Sequence, residues 1–235
     1  MNLLKVPIVE IFESFQGEGR FAGQRALFIR FAGCNLAGKC KYCDTDFKVR
    51  EMMTVHDIAK RVYDYYNDGG RLVVFTGGEP AIYKDVLSYI MYYTFSPEIG
   101  QALFNMKYQI ETNGMIRLPF SVVDKAYVSV SPKKGYHEDA IKYYSGVPNA
   151  DFKFVVGDVP DDSTFWKPKE IKKIVRDMVH SYNVSLDRIW LMPYGANRDE
   201  IIKNSRIVWK LARKLGVNYS DRIHIRVWGR SLMGV

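Results

Sequence analysis

Eight stretches of the chain are rich in β-branched and aromatic residues: "VPIVEIF" (6–12), "RALFIRFAG" (25–33), "RLVVFTGG" (71–78), "YQIETNG" (108–114), "KAYVSVSPK" (125–133), "DFKFVVG" (151–157), "RIWLMPYG" (188–195) and "RIHIRVWG" (222–229). Each reads as a strand. Between them, apolar residues recur at helical spacing over 54–66, opening at Thr54, and over 83–94, 169–182 and 198–215. Strand alternating with helix predicts an α/β architecture with a parallel sheet, because parallel strands need crossovers of about a dozen residues or more. "DVLSYIMYY" (85–93) is the most apolar of the helical segments and is expected to pack in the core. In "RIHIRVWG" the alternation sets Arg222, His224 and Arg226 opposite Ile223, Ile225 and Val227, which predicts a last strand with one polar face.

Five of the strand-like runs end in polar or glycine-containing turns: the segment 34–45, "TGGEP" (76–80), "ETNG" (111–114), "SPKK" (131–134) and "MPYG" (192–195). In a parallel barrel or open sheet such turns share one edge, at the carboxyl ends of the strands, where ligands bind. The turns are therefore expected to converge in space.

Length and composition narrow the class. The chain has 235 residues with 47% hydrophobic content, enough for a sizeable core, and no linker or repeat divides it, so one domain over 1–235 is expected. No window of about 18 uncharged apolar residues suggests a membrane span, and Glu10 and Glu13 interrupt any leader-like N-terminus. A cytoplasmic, reducing location is the expectation, and it keeps thiols available as ligands. A formal net charge of +8 raises the possibility of nucleic-acid binding. The densest basic run, "KPKEIKKIVRDM" (167–178), instead sets Ile171, Ile174, Val175 and Met178 at helical spacing, which leaves Lys169, Lys172 and Lys173 as a solvated face.

All three cysteines lie in "CNLAGKCKYCDT" (34–45). Scattered at random, three cysteines would fall within ten residues roughly one time in two hundred, so the cluster calls for a ligand role. A structural zinc site needs four closed ligands, and none of His56, His137, His180 or His224 lies within ten residues of Cys43, so such a site requires a histidine distant in sequence to complete it. An iron–sulfur cluster held by three thiolates leaves one iron without a protein ligand, free to bind a cofactor or substrate.

Cys34-x5-Cys40-x2-Cys43, with Tyr42 before the last cysteine, resembles the cluster motif of the radical S-adenosylmethionine (SAM) enzymes, although the usual first spacing in that family is three residues. "TGGEP" is similar to the family's motif at the end of its second barrel strand. The family's fold is a partial β/α barrel with its active site at the C-terminal ends of the strands. Within the family, "FQGEG" (15–19), "FIRFAGCN" (28–35), "CDTDF" (43–47), "TGGEP", "ETNG", "SPK" (131–133) and a closing "WG" (228–229) resemble, in that order, the members that convert 6-carboxy-5,6,7,8-tetrahydropterin to 7-carboxy-7-deazaguanine. Variable spacing between the first two cysteines is tolerated among them.

That resemblance implies a 4Fe-4S cluster on Cys34, Cys40 and Cys43, with SAM on its open iron, and Mg2+ on Thr45. It implies substrate contacts from Phe15, Gln16, Gly17, Arg30 and Thr76, the guanidinium of Arg30 suiting a planar carboxylate. Tyr42, Cys43, Asp44, Gly78, Ser131, Pro132, Lys133, Met192, Pro193, Tyr194 and Gly195 would contact SAM. Glu111 and Asn113 either shape the same pocket or form an ordinary strand-end turn. The tail "GRSLMGV" (229–235) departs from the more basic ending of those relatives. A flavodoxin-like or ferredoxin-like electron donor and a homodimer are further implications. Two rival readings are a small radical SAM activase, which would lack the pairing of "FQGEG" with Arg30, and a metal-bearing RNA-binding module, which the basic balance suggests but no recognition motif supports.

Overall fold

A computed structural model describes residues 4–40, 43, 46–93, 103, 105–161 and 163–230. Its strands are β1 (Lys5–Phe15), β2 (Arg25–Phe31), β3 (Glu51–Thr54), β4 (Leu72–Gly77), β5 (Lys107–Thr112), β6 (Ala126–Val130), β7 (Ala150–Val156), β8 (Ile189–Pro193) and β9 (Asn218–Tyr219). Its helices are α1 (Val55–Asn67), α2 (Lys84–Tyr93), α3 (Phe120–Val123), α4 (His137–Ser145), α5 (Pro168–Tyr182), α6 (Arg198–Leu215) and α7 (Ile223–Trp228). All nine strands form one sheet in the order β3-β1-β2-β4-β5-β6-β7-β8-β9. From β2 through β9 the pairings are parallel, while β1 runs antiparallel to both β2 and β3. The architecture is the expected α/β with a parallel sheet, and β3 and β9 leave it open, consistent with an incomplete barrel.

The helices follow from local signals. Thr54 caps α1 by accepting from the Asp57 N–H, and Asn197 caps α6 by accepting from the Glu200 N–H. Helix α5 buries Ile171, Val175 and Met178 and leaves Lys169, Lys172 and Lys173 exposed, as its periodicity predicts. Leu87, Ile90 and Met91 of α2 are fully buried.

Residue parity along the parallel strands explains where a ligand can sit. One face carries Leu27, Ile29 and Phe31, then Val73 and Phe75, Tyr108 and Ile110, Val128 and Val130, Phe152 and Phe154, and Leu191. These join Ile58, Val62, Leu87, Ile141, Ile171 and Val208 from the helices in the main core. The opposite face begins apolar at the amino ends of the strands, where Ala26, Leu72 and Val74 pack with Phe21. Toward the carboxyl ends it carries Arg30, Thr76, Glu111, Ser129 and Lys153. Parallel strands covered by helices on both faces read as continuous apolar runs; alternation here marks an inner face that is not covered by a helix layer.

The run 222–229 differs from expectation: after the two-residue β9 the chain forms helix α7 rather than a strand. Six alternating residues fit either element, and tertiary contacts decide. The Ile223 N–H donates to Gly17 O (3.1 Å), Arg226 and Gly229 close i→i−4 bonds onto Arg222 and Ile225, and Gly229 ends the turn at φ 83°. Only Ile225 is buried, so the alternating apolar set never forms a sheet face. Strand β3 and helix α4 carry no strong sequence pattern and were not anticipated.

Candidate active site

Five strand-end turns meet around a cavity of about 270 Å³. Its wall includes Cys34, Cys40 and Cys43, then Thr76, Gly77 and Gly78 at the end of β4, Glu111, Thr112 and Asn113 at the end of β5, Ser131 and Lys133 after β6, and Met192, Tyr194 and Gly195 at the end of β8. Phe15, Gln16, Gly17 and Arg30 also line it, so these sequence-selected residues do come together. Pro132 and Pro193 do not, because each alternates with lining neighbours and turns away; the Pro132 carbonyl accepts from Trp166 Nε1 instead (2.9 Å). Tyr42, Asp44, Thr45 and the tail from 231 lie outside the described residues.

The cysteine loop is held close to the end of β4. The Gly78 N–H donates to Phe31 O (3.1 Å) and the Glu79 N–H to Gly33 O (2.9 Å). A β-carbon on Gly77 would collide with Phe31 O, and one on Gly78 with Gly33 O, so this approach requires both glycines. Behind them Glu79 is fully buried, and its carboxylate accepts from Ala81 N (2.9 Å), Thr112 Oγ1 (2.7 Å) and Asn113 N (2.7 Å). Burial pushes its carboxyl up from the usual range, and the three donors offset part of that. Asn113 Nδ2 in turn donates to Asn35 Oδ1 (2.7 Å), which ties the "ETNG" turn to the cysteine loop.

Cys34 and Cys40 are half-buried and Cys43 is exposed; none is in a disulfide. Burial pushes the Cys34 thiol up, offset in part by the Leu36 N–H, which donates to its sulfur. Among the described residues no group of three or more His, Cys, Asp or Glu side chains could hold a metal ion, yet the three thiols share one cavity. Soft donors spread around a cavity, wider than one ion's coordination sphere, fit a cluster of several irons.

Arg30 lies in register with Glu10 on β1 and with Thr76 on β4. Its Nε donates to Glu10 Oε1 (2.8 Å) and its guanidinium lies 5.6 Å from the Phe12 ring centroid. The lone arginine of an apolar strand thus has the partner that burial demands, and the fork is fixed in orientation. Phe12 stacks on Phe28 (5.1 Å between centroids), and both line the cavity.

The inner wall also carries an ionic chain in which Lys153, Glu18, Arg222 and Gln109, given no role by the sequence, join Gln16, Glu111 and His224. Lys153, at 2% exposure, donates to Glu18 Oε2 (2.7 Å) and Glu111 Oε2 (2.9 Å). Arg222 Nε donates to Glu18 Oε1 (3.1 Å), and His224 Nε2 stands 3.9 Å from the same oxygen. Gln109 Nε2 donates to Glu111 Oε1 (2.9 Å), and Gln16 Nε2 to Gln109 Oε1 (2.8 Å). Burial would push the Glu18 carboxyl up, but Lys153, Arg222 and His224 together outweigh it and hold the group well below the carboxylate range. For Lys153, burial would favour the neutral amine; Glu111 and Glu18 reverse that and raise the ammonium above the usual lysine range. Glu111 is pushed up by burial, and Glu18 adds to that while Lys153 counteracts it. Glu111 is therefore the first of the pair to take a proton.

His224 belongs to this cavity, not to a solvent face, and a β-carbon on Gly17 would collide with its Nδ1. Lys153 could have been found in the sequence by the argument that singled out Arg30, since "DFKFVV" is otherwise nearly all apolar. Arg222 could not, because its position depends on α7.

Residues 28–126 match the family model "Radical SAM superfamily". The "7-carboxy-7-deazaguanine synthase" of Pyrobaculum aerophilum is 31% identical over 97% of this chain and 96% of its own length. The protein of the same name from Halobacterium salinarum is 30% identical over 95% of this chain and 90% of its own length. The crystal structure of QueE from Escherichia coli shares the fold, with a TM-score of 0.65 and 23% identity over 94% of this chain and 95% of that one. With identity at this level sustained nearly end to end, the chain belongs to the 7-carboxy-7-deazaguanine synthase family of radical SAM enzymes.

Proposed function

We infer that this enzyme converts 6-carboxy-5,6,7,8-tetrahydropterin to 7-carboxy-7-deazaguanine with loss of ammonia, in 7-deazapurine biosynthesis, using a 4Fe-4S cluster, SAM and Mg2+. The observation that carries the reading is one cavity, in a chain of this family, whose wall holds three cysteines together with Arg30 and the ionic chain through Lys153. Product plus ammonia equals substrate atom for atom, so the ring contraction needs no net oxidant. When bound, the cluster and SAM would supply a 5′-deoxyadenosyl radical for reversible hydrogen transfer at C6 of the pterin.

Cys34, Cys40 and Cys43 would hold three irons and leave the fourth for the amino and carboxylate groups of SAM. Gly78 would let the backbone come close to that cofactor, with Ser131, Lys133, Met192, Tyr194 and Gly195 around it and Tyr42 and Asp44 assigned to the same side, while Pro132 and Pro193 shape the turns without reaching the cavity. Arg30 receives the substrate carboxylate: Glu10 occupies Nε and sets the plane of the fork, which leaves the Nη edge to the ligand. Thr76 stands beside Arg30 on the next strand, and Thr45 together with the substrate carboxylate supplies oxygens to Mg2+. Phe15, Gln16 and Gly17 cover the heterocycle. The chain of Gln16, Gln109, Glu111, Lys153 and Glu18 sets charged and amide groups in fixed positions along the wall, as recognition of a flat polar heterocycle requires. Phe12, Phe28, Phe47 and Phe165 supply the apolar surface that excludes water.

The electron donor is a small one-electron protein of the flavodoxin or ferredoxin kind, and the enzyme works as a cytoplasmic homodimer of single-domain chains. No helix among the described residues is long and apolar enough to cross a membrane. The test is anaerobic reconstitution: about four irons per chain, and with dithionite, SAM and the tetrahydropterin, formation of 7-carboxy-7-deazaguanine identified by mass. Stoichiometric zinc without iron uptake, or SAM cleavage that the pterin leaves unchanged, would overturn the reading.

A further inference from the structure

Cys40 Sγ lies 2.9 Å from Thr164 Oγ1. The two residues are 124 positions apart and come from different strand ends, the cysteine loop after β2 and the segment between β7 and α5. Thr164 is 7% exposed, and its position is fixed from several sides. Its carbonyl accepts from Lys134 N (2.8 Å), the Ser163 N–H donates to Pro160 O (3.1 Å), the Phe165 N–H donates to Ser163 Oγ (3.0 Å), and the Trp166 N–H donates to Val155 O (3.0 Å). While Cys40 keeps its proton, either atom can donate. A thiolate has only lone pairs, so when Cys40 ligates iron the hydroxyl is the donor. Cys34, by contrast, is served from its own loop by the Leu36 N–H (3.4 Å).

We propose that Thr164 tunes the cluster: its hydroxyl donates to the Cys40 thiolate and raises the reduction potential of the bound 4Fe-4S centre. The proposal rests on the cluster reading above. Reduction adds one electron, taken from an external one-electron reductant, and no proton. The added negative charge spreads onto the sulfurs, so a hydrogen bond to a ligand sulfur is stronger in the reduced state than in the oxidised one. Buried among protein groups, the hydroxyl acts in a low local dielectric, where the difference is felt most. Because the donor comes from a segment 124 residues away in sequence, the bond also links the β7–α5 segment to the metal loop.

The experiment compares wild type, Thr164→Val and Thr164→Ser, each reconstituted anaerobically, with iron counted and the cluster titrated potentiometrically by electron paramagnetic resonance without substrate. Valine keeps the volume and removes the donor; serine keeps the donor. At the wild-type midpoint the valine variant is expected to hold roughly tenfold less reduced relative to oxidised cluster, equivalent to about 59 mV for a one-electron couple, while serine stays within about threefold of wild type. Superimposable valine and wild-type titrations, or a serine variant that shifts as far as valine, would overturn the proposal. Should valine fail to load iron, Thr164→Ala is titrated in its place. Loss of iron in both, with serine loading normally, would mean that the hydroxyl holds the loop and does not tune the centre, which also overturns it. A wild-type protein that takes up no cluster would count against the functional reading itself.

Discussion

Lys153→Met removes the one cation that bridges two buried carboxylates. In the folded protein Glu18 keeps Arg222 at 3.1 Å, but Glu111 is left with neutral partners, Gln109 at 2.9 Å and the Ser129 hydroxyl. Breaking a buried pair by removing one partner costs about 3–5 kcal/mol, because the remaining charge is stranded. The Lys153 side chain is 3% exposed and those of Glu18 and Glu111 are 17% and 18%, so solvent screening of the carboxylates places the cost toward the lower end of that range. The loss should depend on pH in a definite direction. Glu111 already binds its proton more tightly than an ordinary carboxyl, and without Lys153 it binds it more tightly still. A carboxyl whose folded-state affinity is raised favours folding at low pH and loses that contribution as pH rises through its folded value. Glu18, held below the carboxylate range in the wild type, contributes stability above the unfolded carboxyl pKa and loses it as pH falls. Both effects narrow the gap between variant and wild type on acidification, by up to about 1.4 kcal/mol per pH unit while Glu111 takes up its proton. Urea midpoints at about pH 8 should differ by roughly 1–2 M, and by progressively less in a pH series taken down to the ordinary carboxyl range of about 4–5. The double variant Lys153→Met/Glu111→Gln should recover most of the loss at the higher pH. A variant within about 1 kcal/mol of wild type, or a loss that is the same across the pH series, would refute the reasoning.

Arg30→Ala should raise the KM for the tetrahydropterin by roughly tenfold to a hundredfold, as expected for losing a charged hydrogen bond of about 1.5–3 kcal/mol, while iron content and substrate-free SAM cleavage stay near wild type. Arg30→Lys should recover little of this, since an ammonium cannot reproduce the fork; steady-state kinetics on both variants checks it. Gly78→Ala places a methyl against the Gly33 carbonyl, which is backbone and cannot swing aside, so a stability loss of about 1–3 kcal/mol with weakened SAM binding is expected by thermal unfolding and equilibrium dialysis. Wild-type unfolding and SAM affinity in that variant would mean that the β4 end does not need its close approach.

The sequence carried the strand-end turns well because they are local: glycine, proline and short polar residues after an apolar run mark a turn wherever it occurs. Helix ends were legible for the same reason, as Thr54 and Asn197 cap the helices that follow them. What escaped was set by partners distant in sequence. Residues 222–229 alternate as a strand would, and the bond from Ile223 N to Gly17 O, with the i→i−4 bonds of Arg226 and Gly229, makes them helical. With the helix came Arg222 and His224, which therefore had no readable place. Lys153 is legible as the lone cation of an otherwise nearly apolar strand. In β5, β6 and β7 the inner-face residues Lys107, Gln109, Glu111, Tyr127, Ser129, Asp151 and Lys153 alternate with apolar ones, a pattern that a sheet covered on both faces would not show.

That alternation links fold to chemistry. A parallel strand that presents Gln109 and Glu111, or Asp151 and Lys153, to its inner face gives up apolar burial there, and the loss must be offset by full pairing of the polar groups. The pairing is close to complete: the two carboxylates share one lysine, each glutamine both donates and accepts within the chain, and Arg222 spans Glu18 and the Gly195 carbonyl (2.7 Å). A network satisfied in this way is rigid, because rotating any one member strands another. Rigidity is what a radical reaction asks of its container. The reactive carbon must be held in line with one hydrogen acceptor and away from every other abstractable hydrogen, and a wall of locked ion pairs does this better than a compliant apolar one. The same reasoning accounts for Glu79: a fully buried carboxylate with three donors fixes the β5 turn against the cysteine loop, so the wall that would carry the cofactor and the wall that would carry the substrate are braced by the same means.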